Sequence, residues 1–517
     1  MQEINQKDYW DVIVIGSGIG GLVTASQLAK KGAKVLVLEQ YLIPGGSGAS
    51  FKRNEFTFDV GASMIFGFGE KGFTNLLTRA LNDINQKCET IPDPVQLEYH
   101  LPNNLNIAVD RDYEKFIESL IRIYPHEEIG IKKFYGTCWK VFNYLNSMPL
   151  LSIEDLNYLF KVFLRSPLSC LGLARWLPFN VGDIAKKYIK DRELLNFIDI
   201  ECFCWSVMPA DKTPMINAGM VFSDRHYGGI NYPKGGVGKI AEKLVKGIEN
   251  LNGKILYRSK VKKIITEGNK AIGVELNNNK KIFAKIVVSN TTRWDTFDIE
   301  KKGKSLISNK ATPKNEKNWA NNYKASPSFV SLHLGVKEEI INQITHNCHH
   351  LFLENWGNLE NEMGVTFLSI PTLLDKDLAP KGHHILHAFT PSSIEKWENL
   401  SPKEYKEKKI NYSEKIINQI ESYIPNLNSS ITHREIGTPK THKRFLGRYN
   451  GTYGPIPRKA LKGLLPMPFN STSIKNLFCV GDSCFPGQGL NAVAFSGFAC
   501  AHKIGSQLNI NNSQLPM

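Results

Sequence analysis

The chain opens with a polar stretch and then alternates between two hydrophobic patterns. Asp11-Val-Ile-Val-Ile15 is a short run of β-branched residues, the pattern of a strand buried on both faces. Over residues 22–31 the period changes to that of a helix, with Leu22, Ala25, Leu28 and Ala29 on one face and Gly32 closing it. Lys34 to Leu38 is a second apolar strand, followed at once by Glu39. Similar signals recur far downstream. Val261–Ile264 and Gly273–Leu276 alternate like a hairpin, and Ala284-Lys-Ile-Val-Val-Ser-Asn290 is an apolar strand ending in small polar residues. Leu477-Phe-Cys-Val-Gly-Asp482 is a strand that ends in Gly-Asp, ahead of a small-residue helix over 492–504 with Gly497 inside it.

Glycines give the first of these units its chemistry. Gly16-Ser-Gly18-Ile-Gly20-Gly21 sits between strand and helix, and Glu39 follows about twenty residues later. Gly16 permits a tight turn, Gly18 lets the backbone approach a pyrophosphate, and Gly21 lets the helix pack against the strand. The helix N-terminus then offers free N–H groups to phosphates, and Glu39 accepts hydrogen bonds from a ribose diol. The predicted fold is α/β: a discontinuous Rossmann-type dinucleotide domain with inserted material, which the family resemblance carried by the blocks below makes a mixed α+β substrate domain and a helical membrane-contacting region. Its stretches are 1–95, 221–298 and 437–517 for the nucleotide domain, 96–220 for the helical region and 299–436 for the substrate domain.

The inserted stretches differ in character. Residues 140–182 are rich in Leu, Phe, Trp and Pro, punctuated by Lys161, Arg165 and Arg175. Short helices with apolar faces and cationic breaks fit either a lipid interface or a helical subdomain burying those faces in its own core. Residues 300–324 are Lys- and Asn-rich and read as a solvated loop. Residues 227–239 fail as a phosphate loop, because Pro233 stands at the first glycine position and Ile240 replaces the Ser or Thr. His346-Asn-Cys-His-His350 lacks a well-spaced second ligand pair and reads as polar residues beside a strand, so no metal site is expected. Cys202-Phe-Cys204 reads as core or pocket lining, and no G-x-S-x-G context supports a hydrolase.

Composition narrows the class. Sixty-four Lys and Arg against forty-nine Asp and Glu give a net charge of +15 over 517 residues, which favours contact with phosphate, nucleic acid or an anionic lipid surface. Nine cysteines without small-module spacing describe free thiols. Neither a leader pattern at the N-terminus nor an uncharged apolar run long enough to span a bilayer is present, so any membrane contact is expected to be peripheral.

Several blocks carry a family resemblance. Residues 11–21, Pro44-Gly-Gly46, residues 58–62, Tyr232-Pro-Lys-Gly-Gly236, Ser326-Pro-Ser-Phe329 and the run from Thr438 to Phe445 resemble the FAD-dependent phytoene desaturase family. Gly451-Thr-Tyr-Gly-Pro455, Leu465-Pro-Met-Pro-Phe469 and Val480-Gly-Asp-Ser-Cys-Phe-Pro-Gly-Gln-Gly489 resemble its carotenoid cis–trans isomerase branch, over essentially the whole chain. The resemblance implies FAD, active as reduced flavin, with NAD(P)H as a candidate reductant. It implies poly-cis lycopene as substrate in a long apolar tunnel, a peripheral lipid contact, and no nucleic-acid partner. The expected location is a membrane face in a photosynthetic bacterium, cytoplasmic or thylakoid, or a plastid membrane. Carried over by residue, Gly16, Gly18, Gly21 and Glu39 hold the ADP half, and Gly45 and Gly46 lie near pyrophosphate and ribityl. Val261 meets adenine through its backbone, and Gly481 and Asp482 meet the ribityl–phosphate chain. Glu435, before Gly437-Thr-Pro-Lys440, is the candidate proton donor. The competing functions are a carotene desaturase, a polyene saturase, a non-catalytic carotenoid carrier and an amine oxidase.

Overall fold

The computed structural model describes residues 9–61, 63–148, 152–299, 303–459, 463 and 467–510. Two large sheets organise the chain. In the first, strand Trp10–Ile15 is paired in parallel with Val35–Leu38 on one side and Lys281–Ser289 on the other, in register Val14↔Val37 and Val14↔Val288. Lys254–Leu256 and Leu477–Cys479 extend the parallel sheet at its two edges. The antiparallel strands Val261–Glu267 and Lys270–Leu276 join through the first half of Lys281–Ser289. Strands from both ends and the middle of the sequence thus build one sheet.

Helix Ile19–Lys30 packs on this sheet and against the C-terminal helix Leu490–Gln507. Gly497 makes that approach possible: a Cβ there would lie 2.8 Å from the Gly20 carbonyl oxygen and against Val23. The glycine inside the small-residue helix is therefore a packing requirement.

The second sheet has seven strands, in the order Ile431–Gly437, Ser328–Lys337, His383–Ser392, Val365–Ser369, His349–Leu353, Val95–Leu101, Leu105–Asp110. Alternation sorts its faces. Val330, Leu332 and Leu334 pack with Ile416, Ile417 and Ile420 of helix Pro402–Glu421, whereas Phe329, Ser331 and His333 face a large cavity. The stretch 96–220 thus opens with strands of this sheet and turns helical from Tyr113.

The helical region is held internally by a buried Glu201–Arg225 pair at 2.6 Å, with the Tyr135 hydroxyl donating to Glu201 at 2.6 Å. No described helix is long and apolar enough to cross a membrane. All nine cysteines are free thiols.

One reading is corrected. Part of the stretch assigned to a solvated loop, 314–322, is a helix with Trp319 and Glu316 buried. Glu316 pairs with buried Arg293 at 2.6 Å, a tertiary partner that a Lys- and Asn-rich composition does not reveal.

Candidate active site

A cavity of about 1950 Å³ runs between the two sheets and the helical region. Ordinary small-molecule pockets occupy roughly 300–1,000 Å³, so this one has space for a dinucleotide and a second large ligand. One end is the glycine loop. Gly16 has φ +93°, Gly45 +108° and Gly481 +107°, backbone geometry that only glycine adopts without strain. A Cβ on Gly21 would lie 2.7 Å from the Gly16 carbonyl oxygen, and one on Gly18 would lie 2.8 Å from Asn290 Nδ2.

Gly16, Gly18, Glu39, Gly45, Gly46, Val261, Gly481 and Asp482 all border this cavity, while Gly21 is packed behind the loop. Both Glu39 oxygens are already oriented by the chain. Oε2 accepts from the Ser17 N–H at 2.8 Å and its hydroxyl at 2.6 Å, and Oε1 accepts from the Tyr41 N–H at 2.7 Å. A carboxylate keeps further lone pairs for a diol. Val261 lies beside this corner, because the Ser259 N–H donates to the Glu39 carbonyl at 2.8 Å. Asp482 forms an ion pair with Arg448.

Asn290 and Arg448 are the additions that sequence reasoning missed. Asn290 follows strand Lys281–Ser289, the neighbour of the first strand, and lies against the loop glycines Gly16, Gly18, Gly20 and Gly21, a contact that only the pairing of those two strands creates. Arg448 carries no local motif; its partner lies 34 residues away.

The other end of the cavity is apolar and aromatic. Phe367 stacks on Phe389 at 4.7 Å, Phe329 meets Phe389 edge-on at 5.1 Å, and Trp205 meets Phe66 at 4.9 Å. A polar row crosses the sheet between the two ends. Cross-strand register aligns His349, Ser369, His387, His333 and Glu435 on five neighbouring strands. His333 and His387 stack at 4.4 Å, and His333 Nε2 lies 2.9 Å from the Asp59 carbonyl. Burial pushes His333 down to about 3 and His442 down to about 4, so at neutral pH neither presents a cation to the cavity. Burial likewise raises Asp224 to about 7. Glu435 stands at the rim, with its side chain 42% exposed and 3.4 Å from Arg53.

The far wall consists of helices Leu156–Arg165 and Pro167–Ala174. Leu159, Val162 and Leu173 line the cavity, while Leu156 (80% exposed), Phe160, Leu164 and Leu168 (81% exposed) face outward. Residues 150 and 151 of the apolar stretch lie outside the described residues, as do 465 and 466 of the C-terminal blocks.

Comparison with known proteins settles the family. The model of flavin-containing amine oxidoreductases matches residues 19–504. The chain is 56% identical over 510 residues to prolycopene isomerase 1, chloroplastic, of an Oncidium hybrid cultivar, covering 98% of this chain and 86% of that one. The chain belongs to the prolycopene isomerases. Prolycopene isomerase of Arabidopsis thaliana is similar to it at 55% identity, over 98% of this chain and 84% of the relative. Among solved structures, an oxidoreductase from Methanosarcina mazei has the same fold, with TM-score 0.61 and 18% identity, over 95% of this chain and 99% of that one. The cofactor of this prolycopene isomerase family member is FAD, and the glycine cradle with its oriented Glu39 fits an adenine dinucleotide.

Proposed function

We propose that the protein converts poly-cis lycopene, prolycopene, to all-trans lycopene without net oxidation. The observation that carries this reading is a single cavity that joins a dinucleotide cradle to an aromatic, largely apolar chamber ending at exposed apolar helices. A hydrocarbon polyene has no polar handle, so recognition rests on shape and apolar contact. Reduced FAD supplies the electron equivalent that transiently lowers double-bond order and is recovered afterwards.

The chain's own residues bind, orient and exclude water. Gly16, Gly18 and Gly21 leave room for the pyrophosphate, Glu39 accepts from the ribose, and Val261 borders the adenine. Gly45, Gly46, Gly481 and Asp482 border the same cavity and would hold the ribityl–phosphate chain, with Arg448 keeping Asp482 in place. Phe329, Phe367 and Phe389 form the polyene wall, and the neutral His333 and His387 shield it from charge. Glu435 serves at the rim as a proton relay to solvent rather than deep in the chamber, given its exposure and its Arg53 partner.

The lipid surface is the second partner in this reading. Leu156, Phe160 and Leu164 recur at four-residue spacing on the outer face of the helix whose inner face lines the cavity. With Lys161, Arg165 and Arg175 alongside, this pair of helices rests peripherally in one leaflet, on a photosynthetic membrane, and admits substrate from the acyl layer. NAD(P)H is the candidate source of electrons for the flavin.

The test is anaerobic incubation of poly-cis lycopene in liposomes with FAD-loaded protein and dithionite or NADPH. All-trans product of unchanged mass is expected with reductant and little without it. Product lighter by hydrogens would make the protein a desaturase, heavier product a saturase, and unchanged bound substrate a carrier.

A further inference from the structure

The row of polar residues across the second sheet ends at a buried cluster that the isomerase reading does not use. We propose that Asp93, Cys348 and His349 form a binding site for a zinc-class divalent ion. The three side chains come from the segment ahead of strand Val95–Leu101 and from the edge of strand His349–Leu353, 255 positions apart in sequence between Asp93 and Cys348. All three are essentially inaccessible to solvent, and one ligand atom from each lies within 4.8 Å of the others.

The polar atoms facing one another have no other partner. His349 Nε2 and Asp93 Oδ2 are buried, lack any hydrogen bond, and stand 3.4 Å apart. Two buried polar atoms left unsatisfied in this way are each destabilising, and a shared cation satisfies both. That separation is long for a hydrogen bond. It matches the edge of a tetrahedron with bonds of about 2.0–2.1 Å, which is about 3.3–3.4 Å. The opposite ring nitrogen, His349 Nδ1, lies 2.9 Å from the Ser369 hydroxyl, its register partner on the adjacent strand. With Nδ1–H donating to Ser369, the Nε2 lone pair is directed at Asp93, the tautomer a metal ligand requires.

The donor set selects the ion. One thiolate, one imidazole and one carboxylate suit zinc, while magnesium and calcium prefer oxygen alone. Ion binding releases the Cys348 proton to solvent. The neighbouring trio Glu98, His100 and His350 does not compete. There His350 Nδ1 is already bonded to His100 Nε2 at 3.1 Å, and His350 Nε2 accounts for the Asn347 carbonyl at 3.0 Å. The bound ion would tie the two strands that pair in parallel at His350↔Glu98.

Metal analysis of the FAD-loaded protein, grown with zinc and washed with a weak chelator, tests the site. About one zinc ion per chain is expected, lost in Asp93→Asn and in Cys348→Ser, and bound about tenfold more weakly in Ser369→Ala. Cobalt exchanged into the wild type should add d–d absorption at wavelengths beyond the flavin bands, absent in Cys348→Ser, with flavin content as the control for folding. Wild-type protein that holds no zinc and does not compete for it against a chromophoric chelator would overturn the proposal. Zinc retained equally in both ligand variants would overturn it as well.

Discussion

At the scale of single residues, space and protonation decide what the cavity does. Gly18→Val puts a Cβ 2.8 Å from Asn290 Nδ2 and adds two methyl groups beside the dinucleotide path. The purified variant is expected to lose most of its flavin absorbance; full flavin content would contradict the placement. Asp482→Ala takes the carboxylate from Arg448, which keeps only the Thr452 carbonyl and the Tyr453 ring, and loosens the cofactor without removing a proton donor, so excess FAD is expected to restore part of the conversion. Activity that stays lost at saturating flavin would give Asp482 a chemical role instead. The buried imidazoles make the fold acid-sensitive. His226 and His333 are held near 3 and His442 near 4, against about 6.5 in an unfolded chain. Their contribution is fully present above about pH 6.5 and is lost as pH falls, because the unfolded chain binds protons that the folded one refuses. At pH 5 each costs about 2 kcal/mol. Asp93 and Asp224, each raised to about 7, run in the opposite direction and offset about two of the three, while His349 and His350, also held near 3, add to the loss. The thermal midpoint is therefore expected to fall by several degrees between pH 7 and pH 5; a midpoint that rises would contradict this balance.

At the scale of elements, the helices Leu156–Arg165 and Pro167–Ala174 are two-sided, with Leu159 and Val162 inward and Leu156, Phe160 and Leu164 outward. A fully buried Leu or Phe is worth about 1.5–3 kcal/mol, so leaving four on the surface is expensive unless lipid covers them. Changing Leu156, Phe160, Leu164 and Leu168 together to Ser should abolish flotation with anionic liposomes while flavin content is retained. Undiminished flotation would move the lipid contact elsewhere. The sequence already carried the strand–helix–strand unit, the hairpin and the C-terminal helix, because buried parallel strands and glycine turns leave strong local patterns. It did not carry the order of the second sheet, whose strands pair across hundreds of residues. Nor did it reveal helix Lys314–Asn322, held by the Glu316–Arg293 pair and one buried aromatic, Trp319 against Trp294, rather than by an apolar stripe.

At the scale of the whole molecule, the same division holds for the site. Gly16, Gly18, Gly21 and Glu39 were legible because dinucleotide chemistry asks for those residue types at that spacing, whereas Gly45, Gly46, Gly481 and Asp482 came with the family resemblance; all but the packed Gly21 border the one cavity. Arg448, the histidine row and Asp93 were not, because each acquires its meaning from a strand distant in sequence. What the assembled cavity adds is continuity: a cradle for FAD opens into an aromatic chamber whose outer wall is an apolar surface. That continuity lets one cavity take both the cofactor and a long polyene, and the kinship with prolycopene isomerases makes the reaction an isomerisation in which the redox cofactor is not spent. The direct test is reductant stoichiometry, measured anaerobically in liposomes alongside chromatographic resolution of the lycopene isomers. Conversion to all-trans lycopene is expected to continue through many turnovers after the flavin has been reduced, with negligible further NADPH oxidised. Oxidation of one NADPH for every lycopene released would contradict it.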